Sequence, residues 1–177
     1  VPLQFSRWRI THREFALVRV DTEDGVSGFA YGLTRDGPVA EIVGRSMARF
    51  YEGLDIVDPV DAFHGCRLTN HQTLSAGVGM RALSLVDIAV WDALARSRGL
   101  GIARLLGGQP RSRVATSIVG YPPSMTPAGL AEEIYGLIER GWRRFKAPVA
   151  ADADAAVARM VAAREAAGDG WLGFDAN

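Results

Sequence analysis

The sequence predicts an α+β layer followed by the start of a parallel β/α layer, and three observations support this fold class. Alternating apolar and polar residues open the chain, with the hairpin signal Asp24-Gly25 between two strand-like runs. An almost wholly apolar helix pattern occupies residues 84–98. Beyond residue 110, strand-like and helix-like segments alternate, which is typical of parallel strands joined by crossover helices.

Composition narrows the class of protein. The chain has 177 residues, 48% of them hydrophobic, and its 20 basic side chains balance 20 acidic ones. This balance disfavours a partner such as nucleic acid or an anionic membrane, which requires basic excess. We find no apolar run of about 18 residues and no signal-peptide pattern. The single cysteine, Cys66, cannot form an internal disulfide. We therefore expect a cytoplasmic protein with a small-molecule ligand.

The elements of the first half are predicted in order as a hairpin, a helix and a loop. Residues 15–20 alternate between two faces, and residues 26–31 return as the second strand. Pro38 begins a helix that is expected to pack on this sheet. Its apolar residues recur at helical spacing: Val39, Ile42, Val43, Met47 and Phe50. Residues 53–80 are expected to form loop with short helix, where Asp58-Pro59 marks a turn or helix start.

The helix predicted over residues 84–98 begins with Ser84 and Asp87 as a capping pair and ends at Gly99. The preceding Gly77-Val-Gly79-Met-Arg-Ala82 formally matches a dinucleotide-binding pattern, but no hydrophobic strand comes before it. We interpret it as a flexible entry into the helix. Residues 100–108 are rich in glycine and predict a connection, with a domain boundary near residue 110.

The second half predicts strand, helix, strand, helix, strand. The strands are expected at residues 114–119, 145–149 and 171–177. Thr126-Pro127 begins the first helix, whose stripe is Leu130, Ile134, Leu137 and Ile138. Asp152 or Asp154 caps the second, which runs through Val157, Met160 and Val161 to Gly168. Three strands cannot close a barrel, so we expect the polypeptide to be incomplete.

Polar residues at the ends of the last two strands are the candidate site. The period of two places Asp175 and Asn177 on the face opposite the helices, and it places Lys146 and Pro148 on the same face of the preceding strand. The carboxyl ends of parallel strands are where catalytic groups collect in barrels. A buried Lys-Asp ion pair at the end of an open sheet is the alternative. The histidines, at positions 12, 64 and 71, share no metal-ligand spacing, and no hydrolase nucleophile motif occurs.

Four motifs, taken together and in order, resemble the enolase superfamily, specifically its mandelate racemase and muconate lactonising enzyme branch. They are Met80-Arg-Ala-Leu-Ser-Leu-Val-Asp-Ile-Ala-Val-Trp-Asp92, Leu105-Leu-Gly-Gly108, the Lys146 strand and Phe174-Asp-Ala-Asn177. The resemblance implies an α+β capping domain over residues 1–110 and the first βα units of a modified TIM (β/α) barrel over residues 113–177. It also implies a homo-oligomer.

The resemblance implies roles for individual residues. Asp175 stands where the first ligand of one Mg²⁺ ion stands, and Asn177 matches a polar residue near the substrate. Lys146 matches the first lysine of the family's Lys-x-Lys pair, whereas Pro148 replaces the second lysine, which usually acts as the base on that face. In the loop over residues 31–37, Tyr31 or Arg35 is expected to contact the distal part of a polar substrate, with a solvated loop arginine as the alternative.

These roles imply an enzyme that removes a proton next to a carboxylate and stabilises the resulting enediolate, as in the dehydration of a sugar acid by a lyase. Pro148 disfavours a reaction that needs bases on both faces, so a racemase or cycloisomerase is a weaker alternative. A superfamily member that binds a carboxylate, or serves a structural role without catalysis, is the alternative from another class. Proline also withholds a backbone donor, so we expect the end of its strand to be irregular.

Overall fold

A computed structural model describes residues 3–5, 8–109, 116–121, 125–150 and 152–176. The chain divides into two compact units, one over Arg13–Pro110 and one that combines Val1–His12 with Arg111–Asn177. Within the described ranges, no helix has both the length and the apolar character needed to cross a bilayer.

Two short antiparallel sheets open the chain. Strands β1 (Leu3–Phe5) and β2 (Trp8–Ile10) pair with each other. Strands β3 (Phe15–Asp21) and β4 (Ser27–Leu33) form the predicted hairpin. Between them, Gly25 has a φ of 83°, the left-handed conformation that its turn requires. The even-numbered residues of β3 face the core and the odd-numbered residues face outwards, which confirms the predicted alternation.

Helices then cover one face of the β3–β4 sheet. A continuous helical run comprises α1 (Val39–Ile42), a π-helical turn (Val43–Met47) and α2 (Ala48–Tyr51). Three further helices follow, namely α3 (Pro59–Thr69), α4 (His71–Leu74) and α5 (Gly77–Ser97). A final short helix, α6 (Ile102–Leu105), lies in the segment that was predicted as a connection. The helix that packs most extensively on the sheet is α5 rather than the run that begins at Val39.

The structure bears out one prediction about residues 53–98 and corrects another. The segment predicted as loop with short helix contains the three-turn helix α3, which begins at the predicted Asp58-Pro59 start, where the Asp58 side chain accepts a hydrogen bond from the Val60 N–H. Helix α5 begins at Gly77, not at Ser84, and the Ser84 hydroxyl donates to the Arg81 carbonyl within the helix. The capping prediction was wrong because Ser84 and Asp87 lie in the middle of a longer helix.

The second unit contains a parallel three-stranded sheet in the order β5 (Ser117–Ile118), β6 (Arg144–Pro148) and β7 (Trp171–Asp175). Residues 114 and 115 of the first predicted strand lie outside the described residues. Helices α7 (Pro127–Glu139) and α8 (Ala153–Ala167) connect the strands. Both begin as predicted, with Thr126 accepting from the Gly129 N–H and Asp152 accepting from the Ala155 N–H.

The core of the sheet and its two helices forms on one face of the sheet. The residues that share this core include Val119, Leu130, Ile134, Phe145, Ala147 and Ala163. Helix α8 presents small residues and one arginine to this core, whereas Val157 and Val161 are exposed. On the opposite face, the side chains of Lys146 and Asp175 are partly exposed near the carboxyl end of the sheet.

Candidate functional site

The register of the parallel sheet determines which side chains share the accessible face. Ile118, Lys146 and Gly173 lie opposite one another in a row across β5, β6 and β7. The neighbouring row contains Phe145 and Leu172, which pack towards the helices. Because side chains alternate along each strand, Lys146 and Asp175 lie on the face away from the helices. The parity predicted from the sequence is confirmed for these two strands.

The structure brings Lys146 and Asp175 together. The Lys146 Nζ atom donates to Asp175 Oδ2 at 2.7 Å. The side chains are 45% and 39% exposed, so this is not the buried ion pair that was the alternative interpretation. A cation and a carboxylate thus stand in direct contact at the open, carboxyl end of neighbouring parallel strands, where a ligand can reach both.

The ion pair also stabilises the charged form of Lys146. Its hydrogen bond to Asp175 raises the pKa of Lys146, and the charge of Asp175 acts in the same direction. A smaller contribution of the same sign comes from Tyr121. In this arrangement Lys146 is an ammonium ion at neutral pH. It can neutralise negative charge on a ligand but does not accept a proton from carbon.

Pro148 is buried and lies opposite Asp175 in the register of β6 and β7. The pairing continues past it, because the Val149 N–H donates to the Asp175 carbonyl at 2.8 Å. The prediction of an irregular strand end was therefore wrong on this side. On the β5 side, the last ladder bond is the one from the Val119 N–H to the Lys146 carbonyl, since proline has no N–H for the next bond.

A buried arginine and a glutamate, which sequence reasoning missed, hold the backbone of Gly120, just after β5. The Gly120 N–H donates to Glu133 Oε2 at 2.7 Å, and the Gly120 carbonyl accepts from Arg159 Nη2 at 3.0 Å. Arg159 is 4% exposed and also donates to the Met125 carbonyl. Burial lowers the pKa of Arg159. The available sequence signal was an arginine on the face of α8 that otherwise carries alanines.

The remaining candidates belong to the other unit or lie outside the described residues. Tyr31 is exposed on β4, and its ring centroid lies 6.2 Å from that of Phe15. Arg35 is exposed with a φ of 56°, in the turn after β4. Both belong to the Arg13–Pro110 unit, whereas Lys146 and Asp175 belong to the other unit. Asn177 lies outside the described residues.

The described residues contain no group of three or more histidine, cysteine, aspartate or glutamate side chains that could hold a metal ion. Asp175 therefore belongs to no such group in the part of the chain that the structure describes. Magnesium in proteins prefers several oxygen ligands.

Comparison with known proteins identifies the family. Residues 1–107 match the model of the mandelate racemase / muconate lactonizing enzyme N-terminal domain. A putative isomerase from Sinorhizobium meliloti is 31% identical, with a TM-score of 0.74 over 90% of this chain and 42% of that one.

Two further solved structures are similar. A mandelate racemase/muconate lactonizing enzyme-like protein from Rubrobacter xylanophilus is 29% identical, with a TM-score of 0.74 over 99% of this chain and 48% of that one. A racemase from Streptomyces coelicolor A3(2) with bound magnesium is 26% identical, with a TM-score of 0.76 over 93% and 51%. The chain thus spans about half the length of these proteins or less. Together with the α+β unit and the parallel βα unit, these matches show that the chain belongs to the mandelate racemase / muconate lactonizing enzyme family of the enolase superfamily.

Proposed function

We propose that the protein is a magnesium-dependent lyase that removes the proton next to the carboxylate of a sugar acid and then eliminates water. The observation that carries this proposal is the accessible Lys146–Asp175 pair at the carboxyl end of the sheet, in a family fold. The α-proton of a carboxylate is weakly acidic, so the dianionic intermediate requires cationic groups that are already in place.

The residues present fit Mg²⁺ in their chemistry. Asp175 offers a hard carboxylate oxygen at a strand end, and one relative, from Streptomyces coelicolor, contains magnesium. When bound, Mg²⁺ supplies a Lewis acid that stabilises negative charge on a substrate carboxylate. Asp175 would be one ligand, and Asn177 would lie near the substrate. The remaining ligands would come from outside the described residues.

Lys146 acts in this proposal as a fixed positive charge. Its ammonium group binds and orients the substrate carboxylate, and it offsets the charge that develops when the α-proton leaves. Pro148 has no proton to exchange, so no base acts from this position. This favours a one-base elimination over racemisation, although one relative is named a racemase and another a putative isomerase.

The proposal also covers the domain boundaries, the substrate contacts of Tyr31 and Arg35, the localisation and the oligomeric state. Residues 1–110 form the capping domain, residues 113–177 begin the barrel, and Tyr31 and Arg35 contact the distal part of the substrate. The protein is a cytoplasmic homo-oligomer. The competing function is carboxylate binding without catalysis, which Pro148 motivates because it removes a base of the Lys-x-Lys pair.

The test is turnover by the full-length protein with Mg²⁺ on a panel of sugar acids. We expect loss of water from C2 and C3 to give a 2-keto-3-deoxy acid, since the enol that forms first becomes the ketone. Lys146→Met should lower kcat/KM by about 10²–10³-fold, the typical effect of removing one group that stabilises an oxyanion. Arg140→Met, which changes an exposed arginine immediately after α7, is the matched control. Absence of turnover on every acid, with Mg²⁺ shown to be bound, would contradict the proposal and favour the non-catalytic alternative.

A further inference from the structure

Gly120 is held from two sides at the carboxyl end of β5. Glu133 on α7 accepts from its N–H, and Arg159 on α8 donates to its carbonyl. Its φ is +77°, and a Cβ atom there would lie 2.8 Å from Arg159 Nη2. Only glycine therefore satisfies both the backbone conformation and the close approach of the guanidinium. The two helices that flank β6, α7 and α8, thus fix the backbone position of Gly120.

This arrangement is costly if its purpose is only to stabilise the fold. Arg159 is 4% exposed, and among the described residues its Nε atom finds no hydrogen-bond partner. A buried charge pays a desolvation penalty that an apolar side chain would avoid. Every described hydrogen bond of Arg159 goes to a backbone carbonyl, that of Gly120 or that of Met125. The location of these bonds indicates that the backbone positions of these two residues are what the arginine secures.

Tyr121 is the residue placed by this fixed backbone. It follows Gly120 and is 45% exposed. It stands three positions beyond Ile118, the register partner of Lys146. A Cβ atom on Gly120 would lie 3.7 Å from the Pro148 ring, so the Gly120 backbone borders the β6 end next to Lys146. The influence of Tyr121 on the pKa of Lys146 agrees with this proximity.

We propose that Tyr121 binds the substrate, donating a hydrogen bond from its hydroxyl to a substrate oxygen beside the Lys146 ammonium, and that Glu133 and Arg159 are positioning residues for it. The ligand is a 2-hydroxy carboxylate, whose clustered oxygens accept from both the phenol and the ammonium. This assignment of Tyr121 rests on the proposed function, because both concern the same face of the sheet.

The first test uses steady-state kinetics of the full-length enzyme. Tyr121→Phe should raise KM up to about tenfold, the value of one hydrogen bond, and change kcat less. Glu133→Ala should also raise KM. Glu133→Gln, which retains an acceptor oxygen, should keep KM at the wild-type value. The matched control is Glu132→Ala, an exposed glutamate next to Glu133 on α7, for which KM should equal that of the wild type.

The second test is hydrogen–deuterium exchange of the peptide that contains Gly120 in the same proteins. Glu133→Ala should accelerate exchange there, whereas Glu133→Gln and Glu132→Ala should not. Faster exchange with an unchanged KM would show a structural role only and overturn the positioning role. Unchanged exchange in Glu133→Ala would overturn the proposal that Glu133 keeps the Gly120 backbone in place.

Binding separates this inference from the proposed function. Calorimetry with Mg²⁺ and each acid of the panel measures Kd without turnover. If the wild type binds an acid but does not convert it, the proposed function fails alone, and a Kd that is unchanged in Tyr121→Phe overturns the role of Tyr121. If no acid binds, both proposals fail.

Discussion

Lys146 is the only lysine among the 20 basic residues of the sequence, and the others are all arginines. An ammonium is a compact point charge with three donors, whereas a guanidinium is a planar fork. At Lys146 the ammonium contacts the Asp175 carboxylate and remains 45% exposed, so it can also reach a ligand. The use of lysine at this one position agrees with a requirement for a compact cation there.

Replacing Pro148 tests its role at the single-residue level. Pro148→Lys in the full-length protein would place a second ammonium in the row beside Asp175 and close to Lys146. Repulsion between like charges acts against the effect of Asp175 and lowers the pKa of each lysine, which favours a neutral amine that can act as a base. We expect exchange of the substrate α-proton with deuterium from D₂O, detected by proton NMR. Pro148→Met, of similar length without an amine, should not gain this exchange. Equal exchange in both variants would show that the base lies elsewhere.

Asp87 provides a pH-dependent prediction. It lies on α5, where burial raises its pKa, while Trp91 acts in the opposite direction. A raised carboxyl pKa means that ionisation destabilises the folded state as the pH rises through that pKa. Asp87→Asn should therefore raise the Tm at pH 7, and the gain should disappear at pH 3, where both residues are neutral. Asp55→Asn, at an exposed position, is the control. A lower Tm at pH 7 would mean that the bond from Trp91 to the ionised carboxylate outweighs burial.

At the scale of elements, the sequence predicted best those that begin with a local signal. Helices α7 and α8 and the β3–β4 hairpin carry a cap or a turn pair that acts within a few residues. Helix α5 was predicted seven residues too short because its first turns contain Gly77 and Gly79, which disfavour a helix. What holds them in the helix is tertiary, since Gly79 lies directly against the Thr73 carbonyl. A close approach of this kind leaves no periodic pattern in the sequence.

Packing of α5 on β4 gives the prediction at this scale. A Cβ atom on Gly28 would lie 2.0 Å from the Ala89 carbonyl oxygen, so Gly28→Ala must separate strand and helix. We expect a loss of about 1–3 kcal/mol in unfolding free energy, typical of overpacking. Gly44→Ala is the control in the same unit, because a Cβ atom there meets nothing within 4 Å. It should stabilise the protein by about 0.5–1 kcal/mol through reduced backbone entropy. Urea titration measures both, and equal effects would contradict the close approach.

For the whole molecule, the sequence predicted the order of the two layers and the face on which Lys146 and Asp175 meet. These follow from periodicity and strand parity, which are properties of neighbouring residues. The hydrogen bonds that join Glu133 and Arg159 to the Gly120 backbone could not be predicted in this way. It joins residues 13 and 39 positions apart, through side chains whose partners are backbone atoms. Backbone partners have no residue-type signature, so only the fold reveals them.

Metal affinity is the prediction that depends on the whole molecule. Mg²⁺ binds when several charged oxygens offset its dehydration, and the described residues bring no three acidic or imidazole groups together. The 177-residue chain on its own should therefore give no measurable heat of Mg²⁺ binding, with circular dichroism verifying that it is folded. A protein of the relatives' full length should bind the ion and lose it on Asp175→Ala, but not on Asp169→Ala, an exposed aspartate just before β7. Tight binding by the 177 residues alone would mean that they contain the complete set of ligands, which would contradict the prediction.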